Sequence, residues 1–299
     1  MPNHITNILT FTGSELDVKK VREAIEGVNI ESGELISLDF NKIIPMPNSL
    51  KISSSSTTDF GLAVIKSREK GDHSDIFKIM SYPWAKAEGL DTPEKMCQHL
   101  IDEDKANLVE GLLAYTNLKE HGCKDWYGWA VKNWGTKWNA YSISSLDEST
   151  IKFNTAWKSP LNVIATLSQQ FPNVEIKIEY ADEDFGYNCG IVVFKGGEPI
   201  TTSQPEGGSI EAHLIAISID GMEADEFLER LGGTDDEEVI EIAERAFELE
   251  KIVESIEDAN YLSVGFLQNL KNRLIELEKY ELINSVEAVI KTLEEEKED

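Results

Sequence analysis

Residues 126–141 read WYGWAVKNWGTKWNAY and residues 153–157 read FNTAW, so two short segments hold five of the chain's six tryptophans. Each packed tryptophan buries on the order of 150–250 Å² and carries one N–H that needs a partner. Such a block is either part of a core or a docking surface. Core packing is the better interpretation, because the flanking residues alternate as strands do and Gly135 is a typical helix stop. We therefore expect a short helix followed by two strands that carry Trp138 and Trp157.

Strand patterns continue around and after this block. Residues 138–145 and 151–157 are predicted strands, and a helix that begins at Ser159-Pro160 is expected to run through Leu167. Residues 174–180 alternate apolar and charged side chains, which predicts the clearest half-buried strand of the chain. An acidic turn then leads into a return strand over residues 187–195.

The first part of the chain begins with the same kind of alternation. Residues 5–11 predict a strand, and the following helix begins after Ser14 and ends near Gly27. Residues 36–40 predict a second strand, and residues of about 48–125 form a mainly helical insertion. Within that insertion, four leucines are expected on one buried stripe: Leu108, Leu112, Leu113 and Leu118.

The element order is β-α-β, a helical insertion, then β-β-α-β-β. Two β-α-β halves on an antiparallel sheet are typical of a ferredoxin-like α+β sandwich. We therefore expect an α+β fold: a ferredoxin-like antiparallel sheet with the helical insertion between its halves, followed by an acidic α-helical region at the C-terminal end.

Five segments carry a family resemblance. They are MPNHITN (1–7), FNKIIPMP (40–47), WYGW…NWGTKWNA (126–140), FNTAW (153–157) and GY…G (186–190). In this order they resemble the YubB-type ferredoxin-like family of phage and plasmid proteins, over roughly residues 1–197. The resemblance implies the ferredoxin-like fold and an origin in a phage or plasmid. It implies no catalytic residues, because the family has no established activity.

Charge excludes some classes of partner. The formal net charge is −27, which repels nucleic-acid phosphates and anionic lipids, so we expect neither direct nucleic-acid binding nor membrane contact. No window approaches 18 uninterrupted apolar residues, and the first residues do not resemble a secretory leader. Three widely spaced cysteines are typical of reduced thiols. We expect a cytoplasmic protein, in the cytosol of a host cell.

The C-terminal part differs from the rest in composition. Residues 198–209 are rich in glycine, proline and small polar residues, which predicts a linker between a 1–197 ferredoxin-like domain and a 210–299 helical domain. From Asp220 onward there are 25 acidic and 8 basic residues. Apolar residues recur there at helical spacing after one expected strand at residues 210–219. They predict a small bundle, or half of one completed by a second chain, so homo-oligomers through these helices are expected.

Two Cys/His pairs suggest a zinc site at first sight. Cys97 and His99 lie two residues apart, as do His121 and Cys123. On a helix, side chains two positions apart point about 200° from each other and cannot share one metal ion. We therefore expect no metal at these residues.

An acidic group near residue 180 is the other site candidate in this half. Asp182, Glu183 and Asp184, with Glu179, are carboxylates of the kind used in acid–base or metal chemistry. A solvated hairpin turn explains them more simply, given Gly186 and the alternating strands on either side. The chain has no glycine-rich phosphate-binding motif and no nucleophile elbow. We expect no catalytic residues and no cofactor.

The acidic C-terminal helices supply the predicted partner-binding residues. Glu237, Glu241, Glu244 and Glu248 share one outward helix face. This face is either a solvated surface or one that occupies the basic groove of another protein, with carboxylates where phosphates would lie. The functional expectation is a non-catalytic protein-binding accessory protein of a phage or plasmid, which antagonises a host DNA-handling or defence factor. The alternative is an enzyme acting on nucleotides or nucleic acid, with its site between the helical insertion and the sheet.

Overall fold

The computed structural model describes residues 3–28 and 33–209, together with residues 212, 215, 216, 218 and 219. This part of the chain contains a six-stranded sheet, a two-stranded ribbon and a set of α-helices. In chain order the elements up to the insertion are β1 (His4–Thr12), α1 (Glu15–Ile25), β2 (Gly27–Val28), β3 (Leu35–Ile36) and α2 (Phe40–Ile43). The insertion contains α3 (Ser56–Lys70), α4 (Ser74–Met80), α5 (Pro83–Ala87), α6 (Pro93–Asp102) and α7 (Leu108–His121). The remainder comprises α8 (Trp126–Asn133), β4 (Tyr141–Ser145), β5 (Thr150–Ala156), α9 (Leu161–Gln170), β6 (Glu175–Asp182), β7 (Gly190–Lys195) and β8 (Glu198–Ser203).

The sheet is antiparallel, with the order β4-β5-β1-β6-β7-β8. Strand β1 is central, and its Leu9 lies opposite Ile151 of β5 on one side and Ile178 of β6 on the other. The elements β1-α1-β4 and β5-α9-β6 are the two halves of a ferredoxin-like sandwich, and β7 and β8 extend the sheet beyond β6. The fold class expected from the sequence is confirmed.

The first half of the sandwich differs from the prediction in its second strand. Residues 36–40 were expected to form its second strand, but only Leu35–Ile36 pairs, in a ribbon with Gly27–Val28. Asp39 instead caps α2 by accepting a hydrogen bond from the Asn41 N–H. Apolar and polar residues alternate here because Leu38 and Phe40 are both fully buried against the sheet, not because the segment is a strand. The second strand is therefore β4, and the insertion lies inside the first half rather than between the halves.

The core lies between one face of the sheet and its helices. The odd-numbered residues of β1, from Ile5 to Phe11, are all buried, as strand alternation requires. Leu9 and Phe11 pack with Val21 of α1 and Leu167 of α9 in one continuous cluster. Ser14 caps α1, because its side chain accepts a hydrogen bond from the Asp17 N–H. The amphipathic pattern thus places α1 and α9 on the same layer.

The insertion has a core of its own. Val64, Ile76, Met96 and Leu100 are buried together there, separate from the cluster under the sheet. A Cβ atom added at Gly61 of α3 would lie 2.0 Å from the Asn107 carbonyl oxygen. Glycine therefore permits α3 and α7 to pack at backbone contact.

Helix α7 does not bury the stripe expected from its leucines. Leu108, Leu112 and Leu113 are exposed, Leu112 by 52%. The buried face consists of Gly111, Ala114 and Asn117, at helical spacing. Small residues face α3 because the close approach leaves no room for leucine. The amide of Asn117 donates to the Ser49 and Lys124 carbonyl oxygens, which fixes the helix to the segments before and after it.

The segment after β7 also differs from expectation. The predicted linker 198–209 begins as an edge strand, because Glu198–Ser203 pairs with β7 across the Gly196-Gly197 turn. Residues 210–219 were expected to form a strand, but the described ones are helical, and Ala212, Ile215, Ala216 and Ile219 pack against the second face of the sheet. The first compact unit of the chain runs through Ile219, beyond the boundary predicted at 197. Among the described residues no helix has the length and apolar character needed to cross a membrane.

Candidate functional site: an aromatic cluster around Lys137

Four of the five tryptophans of the block form a buried pair and an exposed pair, and Trp126 is intermediate in exposure. Trp129 and Trp134 are 7% and 4% exposed and belong to the main core. The Trp134 indole N–H donates to the Ile44 carbonyl oxygen at 3.0 Å, so its polar atom is satisfied. Trp138 and Trp157 are 37% and 38% exposed. The core interpretation is therefore right for the first pair and wrong for the second.

Two strand boundaries explain why the second pair is exposed. Both residues were expected on strands, but β4 begins at Tyr141 and β5 ends at Ala156, so Trp138 and Trp157 lie just outside the sheet. Helix α8 ends at Asn133 with Trp134 as its C-cap, and Gly135, with φ of 80°, turns the chain away from the helix axis. The residues after this turn return along the end of β5.

A buried threonine fixes this return segment. The Thr136 hydroxyl donates to the Ala156 carbonyl oxygen at 2.7 Å and accepts from the Ala156 N–H at 3.1 Å. Thr136 is 1% exposed, so both bonds are shielded from water. Because these two residues are clamped together, their neighbours Lys137 and Trp157 are held side by side.

Lys137 lies among three aromatic rings. Its Nζ is 4.8 Å from the ring centroid of Trp138, 5.0 Å from that of Trp157 and 5.8 Å from that of Tyr127. These distances are in the range of cation–π attraction. Tyr127 meets Trp157 edge to face at 6.0 Å, and Trp138 meets Tyr141 at 6.1 Å. We name these five residues the Lys137 cluster.

Trp157 has an unusual backbone conformation. Its φ is 73°, in the left-handed region that bulky residues rarely adopt and that costs of order 1–3 kcal/mol. Its N–H donates to the Asn3 carbonyl oxygen at 2.9 Å, and its carbonyl oxygen accepts from the Asn188 side chain at 3.2 Å. These two hydrogen bonds thus keep Trp157 in its strained backbone conformation and orient the indole ring. Backbone strain of this kind concentrates at functional sites.

Tyr141 is fixed by two hydrogen bonds. Its hydroxyl donates to the Thr155 carbonyl oxygen at 3.1 Å and accepts a hydrogen bond from Nδ1 of His4. Burial, with the charge of Glu183 nearby, raises the pKa of Tyr141. The phenol therefore stays neutral at physiological pH and serves as a packing and hydrogen-bonding group. One edge of the Lys137 cluster is preorganised in this way.

Lys137, and Lys158 directly after Trp157 in the sequence, are not neutralised within the described part of the chain. No carboxylate there forms an ion pair with either ammonium group, whereas Lys124 and Lys195, for example, each pair with an acidic side chain. The Lys137 cluster is thus a small cationic and aromatic surface on a strongly acidic chain.

The two Cys/His pairs, at which no metal was expected, have side chains that contact different neighbours. Cys97 and His99 both lie on α6; the Cys97 thiol contacts Ser67, whereas the His99 ring contacts Trp84 and Glu88. His121 and Cys123, the other pair, also have different surroundings. His121 is hydrogen-bonded to Ser49, and Cys123 is buried in the main core. Among the described side chains, no three His, Cys, Asp or Glu residues group as metal ligands.

The acidic residues near 180 lie in the second half of β6 and in the turn after it: Glu179 and Asp182 belong to the strand, and Glu183 and Asp184 follow it. Asp182 accepts hydrogen bonds from the side chains of Asn3 and Asn188 and from the Asp184 N–H. Glu179 pairs with Lys177 at 2.9 Å. Asp182 therefore supports the backbone on both sides of Trp157. The other predicted site residues, Glu237, Glu241, Glu244 and Glu248, lie outside the described residues.

Two cavities lie in the insertion. One, of about 520 Å³, is lined mainly by residues of α3 and α4, together with Tyr82 and Lys124. The other, of about 570 Å³, is lined by residues of α3 and α6 and by His73. Neither cavity is lined by a residue of the sheet, so neither lies at the predicted place between insertion and sheet.

Comparisons with known proteins identify a domain but no activity. Residues 133–224 match the family model described as a ferredoxin-like domain in Api92-like protein. A crystal structure of the protein api92 from Yersinia pseudotuberculosis is 12% identical, with a TM-score of 0.30 over 70% of this chain and 100% of that one, values too low to transfer any feature. No curated protein matches the chain. Over residues 133–224 the chain is therefore similar to the ferredoxin-like domain of Api92-like proteins, in agreement with its sheet.

Proposed function

We propose that this chain is a non-catalytic protein-binding module and that the Lys137 cluster is part of its contact surface. The observation that carries the proposal is the exposed pair Trp138 and Trp157, held around an unpaired lysine. Tryptophan and tyrosine are enriched at the energetic centres of protein interfaces, where they supply a large contact area at low entropic cost.

Preorganisation supports this proposal. The Thr136 clamp, the strained Trp157 backbone and the hydrogen bonds of Tyr141 fix the rings before any partner arrives. A surface that is already ordered loses less conformational freedom on binding, so more of the contact energy appears as affinity. A protein partner suits the chain better than nucleic acid does, because a net charge of −27 repels phosphates at long range.

The identity and setting of the partner extend the proposal. We propose a host protein with a basic surface as partner, and a YubB-type phage or plasmid protein as the origin of this chain. The acidic face that includes Glu237 would then contact the partner's basic surface, in the cytoplasm, and the effect would be inhibition of a host DNA-handling or defence factor. Assembly of the chain into homo-oligomers through residues 210–299 is part of the same proposal.

Affinity measurement with a captured partner tests this function. The full chain is used to capture a partner from host lysate, and the purified pair is then measured by calorimetry. We expect Trp138→Ala to weaken binding about 30-fold or more, since hot-spot tryptophans contribute about 2 kcal/mol or more. Tyr82→Ala, which truncates an exposed aromatic residue in the insertion, is the matched control and should change the affinity less than about twofold.

A second set of variants separates the two surfaces. Replacing Glu237, Glu241, Glu244 and Glu248 by glutamine should weaken binding and reduce its salt dependence if the acidic face contacts the partner. Equal affinity of the wild type and Trp138→Ala would contradict a contact at the Lys137 cluster. Unchanged salt dependence of the glutamine variant would contradict a contact at the acidic face.

One observation favours the second candidate, an enzyme acting on nucleotides or nucleic acid. Ser67 Oγ lies 2.8 Å from Nδ1 of His73 and accepts a hydrogen bond from the Cys97 thiol at 3.4 Å. In the tautomer of His73 whose Nδ1 accepts, the serine proton is directed to His73, an arrangement of nucleophile and base in the lining of the 570 Å³ cavity. Arg68 also lines this cavity and is complementary in charge to a phosphate ester, whereas Lys95 in the lining pairs with Asp91 and Glu94 adds a carboxylate.

Covalent labelling tests the enzyme candidate. A fluorophosphonate probe should modify Ser67 at a measurable rate, and His73→Gln should abolish the reaction, since the base is lost. His121→Gln is the control, because His121 also bonds a serine, Ser49, but lies outside this cavity. Absence of label on Ser67, or equal labelling in both variants, would exclude this role.

A further inference from the structure

A small cavity lies beside the Lys137 cluster, at the start of α9. It has a volume of about 340 Å³, and Trp157 forms one wall. Lys158, Ser159 and Asn162 contribute the polar lining, and Gly135 also lines the cavity, beside Asn162. Tyr127, Trp138 and Tyr141 do not line it. The cavity is therefore distinct from the exposed face of the Lys137 cluster, although both use Trp157.

The N-terminal end of α9 opens toward this cavity without a cap. The residue at the cap position is Pro160, which has no N–H and makes no side-chain hydrogen bond to the helix. The N–H groups of Val163 and Ile164 both donate to the Pro160 carbonyl oxygen. Within the described chain the N–H groups of Leu161 and Asn162 have no acceptor. Unpaired N–H groups and the positive end of the helix dipole favour a bound anion.

An independent observation is the side chain of Ser159. Ser159 is 7% exposed, and its hydroxyl oxygen is buried without a hydrogen-bond partner among the described residues. A buried hydroxyl normally has a partner, and Ser159 is one of the residues that line the cavity, so an acceptor bound there can supply it. A serine hydroxyl turns by rotation about χ1 and can donate to an oxygen placed at the helix end.

The charge around the cavity has the sign that an anion requires. Lys158 lines the cavity, and Nζ of Lys137 lies 5.0 Å from the ring centroid of Trp157. Neither forms an ion pair with a described carboxylate, in contrast to Lys177 and Lys195 on the sheet. The Thr155 hydroxyl donates to the Lys158 carbonyl oxygen at 2.9 Å, which fixes the backbone that carries Lys158 and Ser159.

We propose that this cavity binds an oxyanion, a phosphate or carboxylate group, carried on a flat aromatic body that packs against Trp157. The N–H groups of Leu161 and Asn162 and the Ser159 hydroxyl donate to the anion, and Lys158 supplies the opposite charge. A cavity of this size accommodates one ring and one anionic group, not a polymer. Three probes of the same chemistry separate the possible sources: phenyl phosphate, benzoate and inorganic phosphate.

An NMR titration of the full chain tests the site. With phenyl phosphate, the amide signals of Leu161 and Asn162 should shift and saturate. We expect Lys158→Gln to raise the dissociation constant about tenfold and Ser159→Ala about fivefold, in line with charge-assisted and neutral hydrogen bonds. Lys119→Gln is the matched control, because Lys119 is likewise an exposed lysine but does not line this cavity, and it should leave the constant unchanged.

The comparison of probes then defines the ligand class. Weaker saturation with inorganic phosphate than with phenyl phosphate supports the ring on Trp157, and tight benzoate binding identifies a carboxylate ligand. No saturable shift at Leu161 and Asn162 with any of the three probes would overturn the proposal, as would equal weakening by Lys158→Gln and Lys119→Gln. Partner binding is tested through Trp138, which does not line this cavity, so either proposal can fail alone.

Discussion

Trp129 and Trp134 on one side, and Trp138 and Trp157 on the other, come from the same aromatic block but have opposite environments. The first pair lies on α8 and its C-cap, facing the core, and the second lies beyond the ends of two strands. Helix α7 shows the same division in reverse, since its Gly111 and Ala114 are buried and three of its four leucines are exposed. Position, more than residue type, decides which large apolar side chains face solvent: in the tryptophan block it is a place beyond a strand end, and in α7 it is a place away from the close contact with α3.

The largest expected difference is in stability within the block. Trp134→Ala should lower the free energy of unfolding by about 3–5 kcal/mol, because it leaves a cavity in the core and the Ile44 carbonyl oxygen without its donor. Trp138→Ala should cost about 1 kcal/mol or less, chiefly its contact with Lys137. Urea denaturation measures both. Similar losses for the two variants would break the distinction between the pairs.

Substitutions on the two faces of α7 should differ by a smaller amount in their effect on the free energy of unfolding. Gly111→Ala should destabilise by about 2–3 kcal/mol, since the new Cβ would lie 2.3 Å from the Gly61 carbonyl carbon. Leu112→Ser, on the exposed face, should change the free energy of unfolding by about 0.5 kcal/mol or less. Thermal denaturation of both variants checks this. A larger effect at Leu112 would show that this face is covered in solution.

The smallest expected effect concerns the strain at Trp157. Trp157→Gly should be more stable than Trp157→Ala by about 1 kcal/mol, because only glycine adopts a φ of 73° without a Cβ penalty. Both variants lose the same contacts with Lys137 and Tyr127, so the pair isolates the backbone term. Denaturation curves of the two proteins, measured side by side, provide the comparison. Equal stability would mean that the backbone relaxes when the indole is removed.

Much of the fold could be predicted from the sequence because strand alternation and helix caps are local signals. Residues 5–11 and 174–180 alternate in a way that only half-buried strands require, and Ser14 caps its helix as expected. The segment at residues 36–40 alternates for another reason, namely burial of Leu38 and Phe40 beneath the sheet. The alternation thus correctly predicted that Leu38 and Phe40 are buried, but the strand conformation predicted for this segment was wrong.

The candidate site was less predictable, since its key features are long-range. The exposure of Trp138 and Trp157 depends on where β4 begins and β5 ends, and element boundaries are weakly marked in a sequence. The position of Lys137 depends on a hydrogen-bonded clamp between residues 136 and 156. One usable signal was present: Gly135 is a helix stop, and the residues just after such a stop are often on the surface.

The most direct measurement is hydroxyl-radical footprinting of the tryptophans in the free chain and in its complex with the captured partner. We predict that Trp138 and Trp157 oxidise several times faster than Trp129 and Trp134 in the free chain, because Trp138 and Trp157 are exposed and the other two are buried. Both exposed tryptophans should then become protected in the complex. Slow oxidation of Trp138 and Trp157 in the free chain, or unchanged oxidation on binding, would contradict a contact surface at the Lys137 cluster.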